Sequence, residues 1–208
     1  MANLNRIDIK RRSGAELFKD GKTPLTFDLL SFWQWSASDV VSNATRGILA
    51  EYIVAQALGV ANNQVRDEWA AYDLELNDGT KIEVKSAAYI QTWQQNMLSK
   101  ISFRIPKTVA LPTEVDKNSH QEPRRQADLY VFALLAECDQ DKLNPLDVSQ
   151  WKFYVVPTFV LDNRERSQHS ITLPSLKKLT EAVEYAELKV KIHQIAETVV
   201  KDNTKSAT

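Results

Sequence analysis

The sequence predicts a mixed α/β (α+β) sandwich, with a central mixed β-sheet flanked by helices, on three observations. Residues 45–58 place apolar side chains at the helical period. Two period-two segments flank Asn77-Asp78-Gly79. Two mostly apolar runs of strand length follow at 128–136 and 152–161. At 208 residues, 43% hydrophobic and 25% charged, the chain is expected to form one domain with a substantial core.

Taken in order, residues 1–24 and about 201–208 are polar and read as loosely held ends. The run TRGILAEYIVAQAL at 45–58 is apolar almost all round and stops at Gly59, so this helix is expected to lie buried between layers. A short strand is expected near 64–69. The segments YDLEL and KIEVKSA alternate polar with apolar residues, and Asn77-Asp78-Gly79 between them is the strongest hairpin signal in the chain. Residues 101–105 form a weaker strand candidate, and PTEVDKNSHQEPRRQ reads as a long loop. DLYVFALLA and KFYVVPTFVL are the strands expected to be covered on both faces. Residues 174–199 read as helical, with acidic residues early and lysines late.

Composition removes several classes of function. MANLNRIDIKRR has no apolar run behind its charges and no stretch approaches eighteen apolar residues, so no signal peptide or membrane span is expected and the protein should be cytoplasmic. The single cysteine, Cys138, excludes an internal disulfide, and His120, His169 and His193 are too scattered for a zinc cluster. Any metal must therefore sit on carboxylates. A net charge of −1 argues against coating nucleic acid nonspecifically. The average hides one basic excess: residues 81–125 carry eight Lys and Arg against four Asp and Glu, including Lys100, Arg104, Arg124 and Arg125. A solvated face would carry the same excess.

The hairpin register decides what its charges can do. A two-residue turn at Asp78-Gly79 would place Asp73 across the sheet from Glu83. A three-residue Asn77-Asp78-Gly79 loop, with Gly79 in the left-handed region, instead puts Leu74, Leu76, Ile82 and Val84 on one face. Asp73, Glu75, Lys81, Glu83 and Lys85 then share the other, and burial on one side selects this register. Glu75 faces Lys81 favourably, but Asp73 faces Glu83, a like-charge pair costing about 0.2–1 kcal/mol if uncompensated. Two hard oxygen ligands on neighbouring strands suit Mg²⁺, which takes one or two carboxylates and completes its octahedron with water and phosphate oxygens. Lys85, roughly 7 Å along the same face from Glu83, can reach an attacking water or a phosphate. The residues alone leave open a solvent-facing hairpin whose lysines neutralise its acids. Glu51 adds a third acid: its helical neighbours are Gly47, Ile48, Val54, Ala55 and Leu58, so its carboxylate needs a metal or a partner such as Arg66 or a tyrosine hydroxyl.

The helix RGILAEYIVAQALG followed by AYDLELNDGTKIEVKS resembles the core of the PD-(D/E)XK, restriction-endonuclease-like nucleases, with the likeness extending over roughly residues 45–160. The matching positions are a helical acid (Glu51), an aspartate on one strand (Asp73) and Glu-x-Lys on the next (Glu83-Val84-Lys85). Tyr72 stands where the motif has proline, and although Gln91, Gln94 and Gln95 follow the lysine, the glutamine-tyrosine signature of some exonuclease branches is not matched. The resemblance implies a restriction-endonuclease-like sandwich and Mg²⁺-dependent hydrolysis of DNA phosphodiesters, with Mn²⁺ able to substitute; an endonuclease of restriction or repair type is expected, the choice between endonuclease and exonuclease staying open. Asp73 and Glu83, with the Val84 carbonyl and Glu51 through water, would hold the metal. Lys85 would orient the nucleophile and balance the phosphate charge.

DNA is the implied partner, a homodimer is a further expectation, and no membrane partner is expected. Trp93, in a polar stretch, could stack on unpaired bases or simply pack. Trp33, Trp35 and Trp151 are expected to pack. Arg124 and Arg125 could contact phosphate or be solvated, and Asp128 reads as a strand-end residue. Two other classes compete: a catalytically inactive DNA-binding or assembly module on the same fold, and an unrelated α/β interaction protein with a coincidental acidic hairpin.

Overall fold

The computed structural model describes residues 7–61, 65–109 and 122–205. Its first element is one that the polar N-terminal composition conceals. β1 (Leu17–Asp20) and β2 (Thr23–Asp28) form an antiparallel hairpin in which Asp20 pairs with Thr23, and Gly21 takes φ 59° in the turn. The signal was Asp20-Gly21, the same dipeptide as Asp78-Gly79. Asp28 then caps α1 (Leu29–Ala37), its Oδ1 accepting from the Ser31 N–H at 2.8 Å. No residue of this apolar helix is buried. Trp33 packs over Gly14, but Trp35 is 85% exposed, so the expectation that it packs fails.

Ser42 caps α2 (Asn43–Leu58), and Gly59 ends it at φ 76°, donating to the Ala55 and Gln56 carbonyls. Ala50, Ile53, Val54 and Leu58 face the sheet. The helix is not enclosed between layers as expected: Ile48 and Tyr52 are 49% and 56% exposed, because they line an open cavity with Arg11, Val65 and Arg66 instead of packing under a second layer. The strand expected near 64–69 is also absent over 65–69, residue 64 lying outside the described set. There Asp67 accepts from the Trp69 N–H at 3.1 Å, and the chain turns instead of extending.

The central sheet has the order β3-β4-β6-β7, with β3 (Leu74–Glu75), β4 (Lys81–Ala88), β6 (Leu129–Leu135) and β7 (Trp151–Pro157). β3 and β7 run antiparallel to their neighbours, and β4 and β6 are parallel, which makes the sheet mixed as expected. Every residue of β6 is buried. α2 and α5 (Tyr185–Lys205) cover one face, the latter through Leu188, Ile192 and Ala196 at helical spacing. The other face is covered by the short ladder of β5 (Ser102–Arg104) with β8 (Ser170–Thr172), and by α3 (Thr158–Asp162) and α4 (Leu173–Leu176). No described helix is long and apolar enough to cross a membrane.

Two expected elements are divided. The run 152–161 is a strand only to Pro157, which has no N–H to continue a ladder and instead leads into α3. The helical stretch 174–199 is broken between α4 and α5, where Val183 exchanges backbone hydrogen bonds with Phe153 at the sheet edge.

The hairpin register is the one that burial selects. Leu74 pairs with Ile82 and Glu75 with Lys81, Leu76 N–H donates to Thr80 O at 2.9 Å, and Gly79 sits at φ 85° in the three-residue loop. Leu74, Leu76, Ile82 and Val84 all join the core under α2. A Cβ at Gly79 would meet nothing within 4 Å, so Gly79→Ala carries only the left-handed backbone penalty. It is expected to lower stability by about 1–2 kcal/mol in a urea melt. An unchanged midpoint would show that the loop can choose another turn.

Candidate active site

Asp73 enters the sheet one residue before β3, and its own N–H donates to Ile82 O at 3.1 Å. Its carboxylate reaches across to β4, where Oδ2 accepts the Val84 N–H at 2.7 Å. That single bond does not neutralise it. Burial, then the Glu83 charge, then the Glu51 charge push its carboxyl up to about 7 from 3.8, against the smaller opposing pull of the Val84 N–H and Lys85. The three acids proposed from sequence therefore share one electrostatic neighbourhood.

Each of the other two has a cationic partner. Glu83 is ion-paired with Lys85, both half-buried on the same face of β4. Glu51, its side chain 13% exposed, takes a two-pronged contact from Arg66: Nη2 donates to Oε1 at 3.1 Å, and Nε donates to Oε2. The partner envisaged for an isolated helical acid is thus present, but not far from the hairpin. Glu51, Arg66 and Asp73 line one cavity of about 370 Å³, together with Tyr52, Tyr72 and Glu75. Arg66 in turn feels Asp73 as well as Glu51, and its pKa is raised first by the Glu51 hydrogen bond.

Among the described residues no three His, Cys, Asp or Glu side chains stand gathered as a metal cage. The donor chemistry nevertheless fits a hard cation. Asp73 is a half-buried carboxylate destabilised by desolvation and by two neighbouring acids, and one or two carboxylates are the usual protein share of a Mg²⁺ shell. The residues that could hold the ion are Asp73 and Glu83, with Glu51 behind them. Val84 is fixed here through its N–H bond to Asp73.

Around this centre, Tyr72 replaces the proline of the motif and does local work. Its hydroxyl donates to Glu75, and the Lys81 ammonium lies 5.4 Å from its ring centroid. Glu75 and Lys81 are opposed as expected but turn to Tyr72 rather than to each other. Asp128 is the strand-end residue expected: its Oδ2 accepts the Lys81 N–H at 2.8 Å and ties the starts of β4 and β6. Gln91 and Gln95 organise the loop after β4, Gln91 accepting from the buried Arg46 at 3.2 Å and Gln95 donating to Ser99 Oγ at 3.0 Å. Arg46 went unnoticed in the sequence because nothing there marks a buried arginine.

The expected DNA contacts divide by exposure. Trp93, Lys100, Arg104 and Arg124 are on the surface. Arg125 is not: its side chain is fully buried, donating to the Ile105 and Gln168 carbonyls at 2.9 Å and to Asp162. It cannot reach a phosphate without abandoning the carbonyls that satisfy it. Trp151 is core, as expected, with its indole N–H donating to Pro145 O at 2.9 Å.

Residues 28–175 match the family model of bacteriophage T4 endonuclease IV. The matched stretch contains Glu51, Asp73, Glu83 and Lys85 and every strand of the central sheet. No curated protein matches the chain.

Proposed function

The chain belongs to the bacteriophage T4 endonuclease IV family, a family of nucleases, and from that premise we propose that it is a Mg²⁺-dependent DNA endonuclease of the PD-(D/E)XK kind. The observation that carries the reading is Asp73: a half-buried carboxylate held by the Val84 N–H and pushed up to about 7 by desolvation, Glu83 and Glu51. An acid kept at that disadvantage is a residue whose charge is awaited by a cation.

Asp73 and Glu83, with the Val84 carbonyl and Glu51, would hold Mg²⁺ or Mn²⁺, which when bound supplies Lewis-acid polarisation of the phosphate and a more acidic water. The protein's own groups do the rest. The Val84 N–H fixes the Asp73 carboxylate on the β3–β4 junction, so the site is carried on sheet rather than on loop. Lys85, now paired with Glu83, is the group that would hold the attacking water against the phosphate and offset the charge growing on its oxygens. Arg66 restrains Glu51 next to Asp73 and limits the repulsion among the three acids. Water attacks phosphorus, the bond to the leaving oxygen breaks, and that oxygen takes up a proton.

The test is plasmid cleavage in Mg²⁺ or EDTA with calorimetric metal titration. Asp73→Asn and Glu83→Gln are expected to lose metal binding and cleavage together, the cleavage rate falling on the order of a hundredfold or more. Cleavage that persists in EDTA, or in Asp73→Asn, would overturn the reading. DNA binding without cleavage under any divalent ion would instead identify an inactive binding module.

A further inference from the structure

Four buried side-chain nitrogen or oxygen atoms lack a hydrogen-bond partner among the described residues, and three of them lie together: Arg125 Nε, Arg164 Nη1 and Gln168 Oε1. Such clustering is unusual, because an unpaired buried polar atom costs about 1–3 kcal/mol. The three belong to one construction. Arg125 is the buried post already described, bonded to Asp162 and to the Ile105 and Gln168 carbonyls. Gln168 closes the loop after α3, its Nε2 donating to Arg164 O at 2.7 Å. Arg164 is thereby held half-buried beside Arg125 and within electrostatic reach of Arg166.

The charge there is unbalanced. Asp162 is shared between Arg125 and Lys107, whose ammonium is 3.7 Å away, while Arg164 and Arg166 form no ion pair among the described residues. Burial, then the neighbouring Arg125 and Arg166 guanidinium groups, lower the pKa of Arg164. The cluster is linked to the acidic site through α3 and the central sheet. Thr158 at the start of α3 donates to Asp128 O at 2.9 Å, and Asp128 holds the start of β4. Tyr130, paired with Glu83 across the sheet, feels Glu83 and Asp73 as well as Arg125 and Asp162.

We propose that Arg164 and Arg166, seated on the pair of buried Arg125 with Asp162, form a phosphodiester-binding subsite that holds the DNA strand beside Asp73, Glu83 and Lys85. The inference rests on the nuclease reading for its ligand, but its geometry calls only for a phosphate oxygen. Arg164, half-buried with one unpaired N–H, and the exposed Arg166 supply guanidinium donors that match such an oxygen, and a backbone contact is independent of base sequence. Arg125 is a positioning residue: it fixes the loop and its charge without touching the strand.

The experiment uses the full chain carrying Asp73→Asn, so that binding is read without cleavage. A labelled oligonucleotide is titrated by fluorescence anisotropy in EDTA at several salt concentrations, and inorganic phosphate is titrated alone by calorimetry. Arg166→Ala, at an exposed position, tests the subsite without disturbing packing. Arg164→Lys keeps the charge but removes the planar fork. Each is expected to weaken oligonucleotide binding about fivefold at low salt, equally for different base sequences, and Arg166→Ala to reduce the salt slope by about one. Unchanged affinity and slope in both variants would overturn the proposal. Loss of inorganic phosphate binding with oligonucleotide binding intact would also overturn it, showing a free-phosphate site. If the arginines govern oligonucleotide binding in a chain whose wild type never cleaves, the subsite stands and the nuclease reading falls. If the wild type cleaves and the arginines are silent, the reverse holds.

Discussion

Lys85→Met is expected to bind divalent cations as well as the wild type or better, while DNA cleavage falls on the order of a hundredfold to a thousandfold. The separation follows from where the ammonium stands. Lys85 is ion-paired with Glu83 and lowers the negative potential at Asp73, so it competes with any cation for those two carboxylates. Charges a few ångströms apart interact by roughly 1–4 kcal/mol between water and a protein surface, so removing the ammonium favours the metal. Chemistry loses more than binding gains, because no other described cation is ion-paired with Glu83 to orient a nucleophile and offset the charge on the phosphate. Methionine keeps an unbranched stem without the ammonium, so the variant isolates the charge. Mg²⁺ calorimetry beside a plasmid-nicking assay reads both quantities. A Lys85→Met protein that nicks at the wild-type rate would reduce Glu83-Val84-Lys85 to ordinary strand surface.

The second large effect is a pH-dependent stability centred on Asp73. Its carboxyl is raised from 3.8 to about 7, so the folded chain binds this proton more tightly than the unfolded chain does. The stabilisation is therefore fully present below pH 3.8 and is lost as pH rises through about 7. At about 1.36 kcal/mol per pH unit the contribution amounts to at most about 4 kcal/mol. In EDTA, urea melts of the wild type should give a lower midpoint at pH 8 than at pH 5. Asp73→Asn cannot ionise, and its side-chain oxygen can still accept the Val84 N–H, so it should be the more stable protein at pH 8 and show a smaller pH dependence. Mg²⁺ should restore the wild type at pH 8 by binding the folded state, and should leave Asp73→Asn largely unaffected. A wild type and variant with parallel pH profiles in EDTA would mean that Asp73 is not held at this disadvantage.

What could be read in advance was what depends on local chemistry. Asp78-Gly79 admits few turns, and the alternation of Leu74, Leu76, Ile82 and Val84 allows only one register with a dry face, so the hairpin and its charged side followed from neighbouring residues. Gly59 stopped α2 for the same kind of reason, by tolerating a left-handed conformation. Local signals can also be outvoted by composition: Asp20-Gly21 turns a hairpin within a polar segment that read as a loose end. Pro157 ended a strand that its apolar neighbours would have continued, because a ladder needs an N–H that proline lacks.

Tertiary structure decided the electrostatics, because burial and the approach of side chains distant in sequence fix the strength of a charge. No spacing specifies that Arg66 grips Glu51 beside Asp73, or that Asp73 is pushed to about 7 by desolvation and then by two acids from other elements. Nor does it specify that of two adjacent arginines Arg124 is exposed while Arg125 is buried on carbonyls from two separate loops. Periodicity reports which face of an element is dry, and here it determined the sheet, the hairpin and the residues that share a side. Which of those residues meet across the fold, and how far from water they do so, is set by packing between segments that the sequence keeps apart.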